Sequence, residues 1–167
     1  MNAGAYGGEL GEWIQKVWAL DREFRPVVLP RDELEMSYRH SLFMEQPFLI
    51  TDCEFSLKTG DTEDAKMQLK EYNRRRREKQ PLEYPSAGST FRRPPGYFAG
   101  ALIEEAGLKG YQIGGAQVSE KHAGFIINTG NASAKDIIAL ISYVRETVIR
   151  QSGVMLQSEV RIVGEEI

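Results

Sequence analysis

The chain has 167 residues, of which 41% are hydrophobic and 27% are charged, and its formal net charge is -3. These totals are ordinary for one globular domain or two small ones with a real core, and the acidic balance argues against a dedicated nucleic-acid binder. Cys53 is the single cysteine, which excludes an intramolecular disulfide and a cysteine-based zinc site. We expect a cytoplasmic protein, because no apolar run approaches the roughly 20 residues of a membrane span and the first residues do not resemble a signal peptide.

The first sixty residues predict a glycine-rich loop followed by β-structure. Residues 1–11 contain four glycines and bury little, which is typical of a functional loop. Residues 13–20 and 24–29 are rich in β-formers and flank a polar turn, so they predict a hairpin. Residues 31–35 predict a short helical turn, and residues 48–57 predict a further strand.

A charged helix is predicted next, capped by Asp61 or Thr62 and ended by Pro81. Its acidic first turn and basic last turns complement the helix dipole. The four consecutive arginines at 74–77 point in all directions around a helix. They therefore favour a solvated helix end over a nucleic-acid-binding face.

The segment 83–95 contains three prolines, one glycine and two adjacent arginines, with no helical or alternating apolar period. We predict a rigid loop rather than a core element. Its serine hydroxyls and main-chain donors, together with Arg92 and Arg93, suit an anion such as phosphate or carboxylate. The alternative is a plain connector whose arginines lie in solvent.

The residues after about 96 predict a compact α+β unit, and the fold class of the chain is accordingly α+β. Ser133 and Asp136 form a capping box for a long helix that Gly153 ends. The other predicted elements are a helix at 98–106 and strands at 113–118, 125–128 and 160–163.

The residue patterns predict no metal site, because His40 and His122 have no partners at metal-ligand spacing. There is also no Walker lysine loop and no dinucleotide-binding fingerprint. Several charged or hydroxylic residues stand at the edges of predicted elements, namely Arg39, Ser89, Lys109, His122 and Glu159. Each alone is more often a surface or capping residue, so composition and spacing stop at an α+β protein with an anion-binding loop.

Residues 84–94, YPSAGSTFRRP, closely resemble the signature of the UDP-N-acetylenolpyruvoylglucosamine reductases (UDP-N-acetylmuramate dehydrogenases). These are flavoenzymes of bacterial peptidoglycan precursor synthesis. Five further blocks are similar to the same family and follow its order. They are residues 1–7 (MNAGAYG), 38–43 (YRHSLF), 106–110 (AGLKG), 113–119 (IGGAQVS) and 159–164 (EVRIVG).

The resemblance implies that a hydride passes from NADPH to FAD and then to the enolpyruvyl methylene carbon of UDP-N-acetylglucosamine enolpyruvate. It assigns Ser89 as the proton donor, and the carbon of an enolate is basic enough to accept a proton from a serine hydroxyl. It assigns Arg39 and Glu159 to the substrate carboxylate. The arginine offsets the growing negative charge, and a protonated glutamate can donate a hydrogen bond.

The resemblance also implies two sets of binding residues. Those expected at the nucleotide sugar are Lys79, Arg93, Lys109 and His122, and those expected at FAD are Asn2, Ala3, Gly4 and Gly7. Arg93 departs from the family's usual pattern, because many family members carry asparagine at this position. The short passage from Phe43 to Phe48 resembles the class without the extra tyrosine-bearing substrate loop.

The resemblance further implies three regions, with residues 1–60 as the remainder of a PCMH-like FAD-binding domain, 61–80 as a connecting helix and 81–167 as the substrate-binding domain. Family members carry another FAD-binding lobe before the block at residues 1–7. We therefore expect this chain to correspond to the latter part of the enzyme. We also expect it to bind FAD weakly or not at all by itself, and a stoichiometric flavin absorbance of the purified chain would contradict this. We expect a small-molecule substrate and no nucleic-acid or membrane partner. The alternatives are a non-catalytic UDP-sugar-binding module and an interaction protein that uses the basic helix end.

Overall fold

The computed structural model describes residues 1–164, which divide into two compact units. The first unit is Met1–Tyr72 and the second begins at Asn73. Both combine strands with helical segments, which confirms the α+β fold class. The assignment of residues 1–60, 61–80 and 81–167 to enzyme domains stays a prediction. Over residues 1–164, no helix is long and apolar enough to cross a membrane.

The first unit contains a small hairpin and a three-stranded antiparallel sheet with the order β4-β3-β5. The strands are β1 (Gly4–Ala5), β2 (Gly8–Glu9), β3 (Ile14–Leu20), β4 (Pro26–Pro30) and β5 (Leu49–Phe55). The predicted hairpin at 13–29, the strand at 48–57 and the helical turn, observed as a 3-10 helix at Arg31–Leu34, are confirmed. Ile14, Val17 and Leu34 form the buried core of this unit.

The predicted glycine-rich loop at residues 1–11 is instead a tight hairpin between β1 and β2. Its two central residues, Tyr6 and Gly7, have φ values of 52° and 88°. Positive φ at both positions is the requirement of a type I′ turn, which matches the twist of the paired strands. The Tyr6 ring stacks on Tyr72 with centroids 4.2 Å apart, and its hydroxyl donates to the Tyr72 carbonyl. The hairpin is therefore fixed to the rest of its unit.

Helix α1 (Thr62–Lys79) confirms the predicted charged helix, and the Asp61 carboxylate caps it by accepting from the backbone N–H groups of Glu63 and Asp64. The second unit then contains a four-stranded antiparallel sheet with the order β6-β9-β8-β7. Its elements are β6 (Ser86–Ser89), α2 (Ala99–Glu105), β7 (Gln112–Ile113), β8 (Ala116–Val118), β9 (Phe125–Asn128) and α3 (Ala134–Ser152).

Helix α3 covers one face of this sheet, where Ala116, Val118 and Ile126 join a core with Leu140 and Val144. The predicted capping box is confirmed, since the Ser133 hydroxyl accepts from the Asp136 N–H and the Asp136 carboxylate accepts from the Ser133 N–H. Gly153 ends the helix with a φ of 72°.

Three predictions in the second unit are wrong. Ser86–Ser89 is an edge strand rather than part of a loop, because β9 supplies backbone partners that its small residues do not announce. Residues 113–118 form two strands, because Gly114 and Gly115 make a turn between them. Residues 160–163 are not a strand, and Ile162 and Val163 are largely exposed. The segment before them makes a single bridge, Ser158 to Phe91.

Candidate functional site

Ser89 ends strand β6 directly opposite Phe125 of β9. The residue is exposed, and its hydroxyl makes only a long contact, 3.5 Å, with the Phe91 carbonyl oxygen. The same hydroxyl oxygen lies 3.8 Å from the position that a Cβ on Gly124 would take. The Ser89 hydroxyl therefore lies at the protein surface, next to the backbone of Gly124.

Thr90 connects Ser89 to the segment that carries Glu159. The residue is 2% exposed, its N–H donates to the Gly124 carbonyl at 2.8 Å and its hydroxyl accepts from the Ile126 N–H at 3.1 Å. Its carbonyl accepts from the Glu159 N–H at 2.8 Å. The structure therefore brings the backbones of Ser89 and Glu159 together. Thr90 could not be predicted from the sequence, because a buried threonine beside a strand end has no distinctive pattern.

His122 lies on the same side of the sheet as Phe125, whose ring it meets edge-on at 5.1 Å. Its Nδ1 accepts from the Gly124 N–H at 3.1 Å, which leaves the proton of the neutral ring on Nε2. Burial lowers the pKa of His122, and the positive charges of Lys109 and Lys79 lower it further, while its own backbone hydrogen bond and Glu104 act in the opposite direction. His122 is accordingly a neutral hydrogen-bond donor at pH 7.

Two other predicted substrate-binding residues, Lys109 and Lys79, therefore lie within electrostatic range of His122. Lys109 is held by an ion pair with Glu104 at 2.7 Å. The Cβ position of Gly124 is 3.0 Å from the His122 ring and 3.8 Å from the Ser89 hydroxyl, so His122 adjoins Ser89. An imidazole N–H and a hydroxyl can both donate hydrogen bonds to an anion, and nearby amines strengthen its attraction.

Arg93, the fourth predicted nucleotide-sugar residue, lies in the segment before α2. Its guanidinium stacks over the Phe98 ring at 4.0 Å, and its Nε donates to the Tyr97 carbonyl at 3.3 Å. Gly100 in the first turn of α2 faces the His122 ring, with 3.4 Å between its Cβ position and Cε1. Arg93 and His122 therefore both lie near the N-terminal end of α2.

In the first unit, Arg39 lies in a four-residue turn closed by hydrogen bonds in both directions between Ser37 and His40. Its φ is 55°, in the left-handed region that a non-glycine residue adopts only when the surroundings impose it. The guanidinium lies 5.2 Å from the Tyr38 ring centroid. The turn therefore fixes the backbone of Arg39, and its side chain lies against Tyr38.

The residues predicted at FAD differ in their surroundings. Asn2 is buried, and its side-chain amide donates to Glu9 and to the Ser37 carbonyl while accepting from the Gly11 N–H. This amide therefore holds the first unit together. Ala3 and Gly7 are exposed, and the Cβ position of Gly7 meets nothing within 4 Å. The backbone of the hairpin is open to a flat ligand there, and contact with FAD stays a prediction for all four residues, Asn2, Ala3, Gly4 and Gly7.

The second unit is therefore an α+β domain in which the His122 ring adjoins the Ser89 hydroxyl, and Lys109 and Lys79 act electrostatically on His122. Residues 80–163 match the family model described as UDP-N-acetylenolpyruvoylglucosamine reductase, C-terminal domain. The chain belongs to the UDP-N-acetylenolpyruvoylglucosamine reductase family.

This chain is similar over almost its whole length to curated relatives and to a solved structure. It is 53% identical to the UDP-N-acetylenolpyruvoylglucosamine reductase of Caldanaerobacter subterraneus subsp. tengcongensis, over 99% of this chain and 55% of the relative. It is also 53% identical to the reductase of Lachnoclostridium phytofermentans, over 100% of this chain and 54% of the relative. The crystal structure of the Thermus caldophilus enzyme aligns with a TM-score of 0.82 and 33% identity, over 96% of this chain and 57% of that one. The chain spans about half the length of the curated relatives it matches.

Proposed function

We propose that this chain carries the nucleotide-sugar-binding and proton-donating residues of an enzyme that reduces UDP-N-acetylglucosamine enolpyruvate to UDP-N-acetylmuramate, with NADPH and FAD. The observation that carries the proposal is the placement of Ser89 beside a neutral His122 with Lys109 and Lys79 in electrostatic range. A UDP-sugar has a diphosphate that suits these cations. The carbon next to the substrate carboxylate needs the proton that a hydroxyl can supply.

Binding is the first role of these residues. Lys109 and Lys79 attract the diphosphate, and the Nε2–H of His122 donates a hydrogen bond to one of its oxygens. Because His122 is neutral, it orients the diphosphate through a hydrogen bond rather than through charge. Arg93 adds a guanidinium, and its stack on Phe98 limits its directions.

Proton delivery is the second role. When bound, FAD supplies hydride transfer from NADPH to the methylene carbon of the substrate. The Ser89 hydroxyl then donates its proton to the neighbouring carbon, where negative charge develops. Arg39 and Glu159 act on the substrate carboxylate and stabilise this charge. Ala3, Gly4 and Gly7 would offer exposed or half-exposed hairpin backbone to the flavin, with Asn2 supporting that backbone from inside.

The proposal is tested by joining the N-terminal part of the Caldanaerobacter subterraneus relative to this chain. We expect NADPH oxidation that depends on the enolpyruvyl substrate. In parallel, calorimetry on the 167-residue chain should detect UDP-N-acetylglucosamine, with weaker binding for Lys109→Ala and unchanged binding for Lys135→Ala on α3. Binding without NADPH oxidation in the joined enzyme would favour the non-catalytic UDP-sugar module, and the absence of both would overturn the proposal.

A further inference from the structure

Strand β6 has a register shift directly before Ser89. Ser86 is opposite Ile127 and Ser89 is opposite Phe125, so Ala87 and Gly88 together face the single residue Ile126 of β9. Two residues against one define a β-bulge, which re-aims the side chains that follow it. Gly88 has a φ of 83°, a conformation that glycine adopts without strain.

The bulge decides which face of the sheet carries Ser89. Phe125 and Ile127 lie two residues apart and share a face, and directly opposed residues share a face as well. Ser86 and Ser89 therefore lie on one face although three positions separate them. In a regular strand an odd spacing would place them on opposite faces.

The two faces have different surroundings. Ile126 belongs to the buried core that Leu140, Ile141 and Val144 of α3 complete. The His122 ring contacts Phe125 on the other face. Without the extra residue, the Ser89 side chain would point toward α3 and away from His122.

A hydroxyl completes the bulge. The Ile126 N–H lies opposite the irregular part of β6 and donates to the Thr90 side chain at 3.1 Å. Thr90 then returns to regular pairing through its N–H bond to the Gly124 carbonyl. The bulge is therefore confined to Ala87 and Gly88, and Ser89 begins the corrected register.

We infer that Gly88 is a positioning residue for Ser89, because its positive φ creates the bulge that moves the Ser89 hydroxyl to the face occupied by His122. The functional part of this inference rests on the proposed proton-donor role of Ser89. The structural part depends only on the register of β6.

The test compares two glycines in the same unit with matched conformations. Gly88 and Gly153 have φ values of 83° and 72°, and the Cβ position of each meets nothing within 4 Å. Gly88→Ala and Gly153→Ala therefore impose similar backbone strain. Gly153 ends α3 and takes no part in the proposed chemistry. Gly88→Asn is a rescue variant, because asparagine tolerates the left-handed region better than alanine.

The first readout is the set of cross-strand nuclear Overhauser contacts between Ser89 and Phe125 in the 167-residue chain. We expect Gly88→Ala to lose them, Gly88→Asn to retain them at least in part, and Gly153→Ala to keep them. Retention in Gly88→Ala would overturn the inference. This readout needs neither cofactor nor substrate, so it decides the structural part even if the proposed function fails.

The second readout separates the two half-reactions of the joined enzyme. We expect Gly88→Ala to slow flavin reoxidation by the enolpyruvyl substrate by about 100-fold or more, as loss of a positioned acid does, and to leave flavin reduction by NADPH unchanged. Gly153→Ala should change neither rate, and Gly88→Asn should recover part of the reoxidation rate. An equal effect of both alanine variants on reoxidation would overturn the positioning role. Unchanged reoxidation in Ser89→Ala would instead contradict the proposed function.

Discussion

The backbone N–H of Glu159 donates to the carbonyl oxygen of Thr90 at 2.8 Å, and Thr90 directly follows Ser89 in the chain. Ser89 and Glu159, which have proposed roles in the same step, are 70 positions apart in the sequence. In the structure one hydrogen bond and one peptide bond connect their backbones. Their relative position is fixed by main-chain geometry rather than by their side chains. Substitutions of either side chain can therefore probe chemistry without releasing this connection.

Ser89→Ala should slow reoxidation of the reduced flavin by substrate by roughly 10²- to 10⁴-fold, the usual contribution of a positioned general acid. Flavin reduction by NADPH should keep its rate, because the hydroxyl takes no part in that half-reaction. Glu159→Gln should impair the same half-reaction. Since both residues act on one developing charge, the double variant should lose less than the product of the two single effects. Stopped-flow flavin absorbance measures each step, and equal loss in both half-reactions would contradict the assigned roles.

The pKa of His122 should respond to its neighbours in a defined direction. Lys109→Gln removes a charge that lowers this pKa and should raise it, whereas Glu104→Gln should lower it. Burial is the largest cause of the shift, so His122 should stay below the ordinary value of about 6.5 in both variants. Proton NMR of the imidazole C–H signals over pH measures this, with Lys135→Gln as the control. A His122 pKa that ignores both substitutions would contradict the electrostatic cluster.

The same pKa shift has a consequence for stability. A histidine whose folded pKa is lowered binds its proton more readily in the unfolded chain. The folded state therefore loses stability as the pH falls below about 6.5 toward the folded pKa of His122. His122→Gln should remove that part of the pH dependence. Urea unfolding at a series of pH values from 7.5 to 5 measures the effect, and an identical pH dependence in the variant would argue against it.

Gly115→Ala should destabilise the second unit by about 1–3 kcal/mol, as overpacking in a tight contact does. A Cβ on Gly115 would overlap the backbone nitrogen of Ala132 and lie 2.6 Å from the carbonyl carbon of Asn131. These are main-chain atoms just before α3 and cannot rotate away. Gly60→Ala is the matched control, because its Cβ position is open. Similar urea midpoints for the two variants would show that the turn is free to move.

Asp136→Asn should remove a stabilisation that depends on pH. The Ser133 backbone N–H is the largest cause that lowers the pKa of Asp136, and the Ser133 side chain and Gly115 backbone add to it. A lowered carboxyl pKa stabilises the fold above the ordinary value of about 3.9, and the contribution disappears as the pH falls through the folded pKa. The difference in unfolding free energy between the two proteins should therefore be full at pH 7 and decrease below about pH 4.

Elements with strong local signals could be predicted from the sequence. The Asp61 cap, the Ser133 and Asp136 capping box and the stop at Gly153 each need only neighbouring residues, and the structure has all of them. The family resemblance could also be recognised from the sequence, because its six motif blocks occur in the family's order. The strand at Ser86–Ser89 could not be predicted, because small polar residues form an edge strand only when a distant partner, β9, offers its backbone.

The surroundings of the site residues could not be predicted from the sequence either. The apolar residues Val160, Ile162 and Val163 predicted a strand, but strands need a partner edge, and the pairing here ends with the bridge between Ser158 and Phe91. The lowered pKa of His122 depends first on burial and then on two cations from other segments, Lys109 and Lys79. The role of Asn2 as an internal hydrogen-bonding residue required its contacts with Glu9, Gly11 and Ser37 to be seen.

These contacts of Asn2 link two parts of the first unit that have separate proposed ligands. One amide joins the hairpin, where FAD contacts are proposed, to Ser37, which begins the turn that holds Arg39. We expect a ligand that orders the hairpin to order the arginine turn as well. If flavin and the enolpyruvyl substrate bind as proposed, reciprocity predicts that each changes the other's affinity by the same factor, and Asn2→Ala should reduce this coupling in both directions.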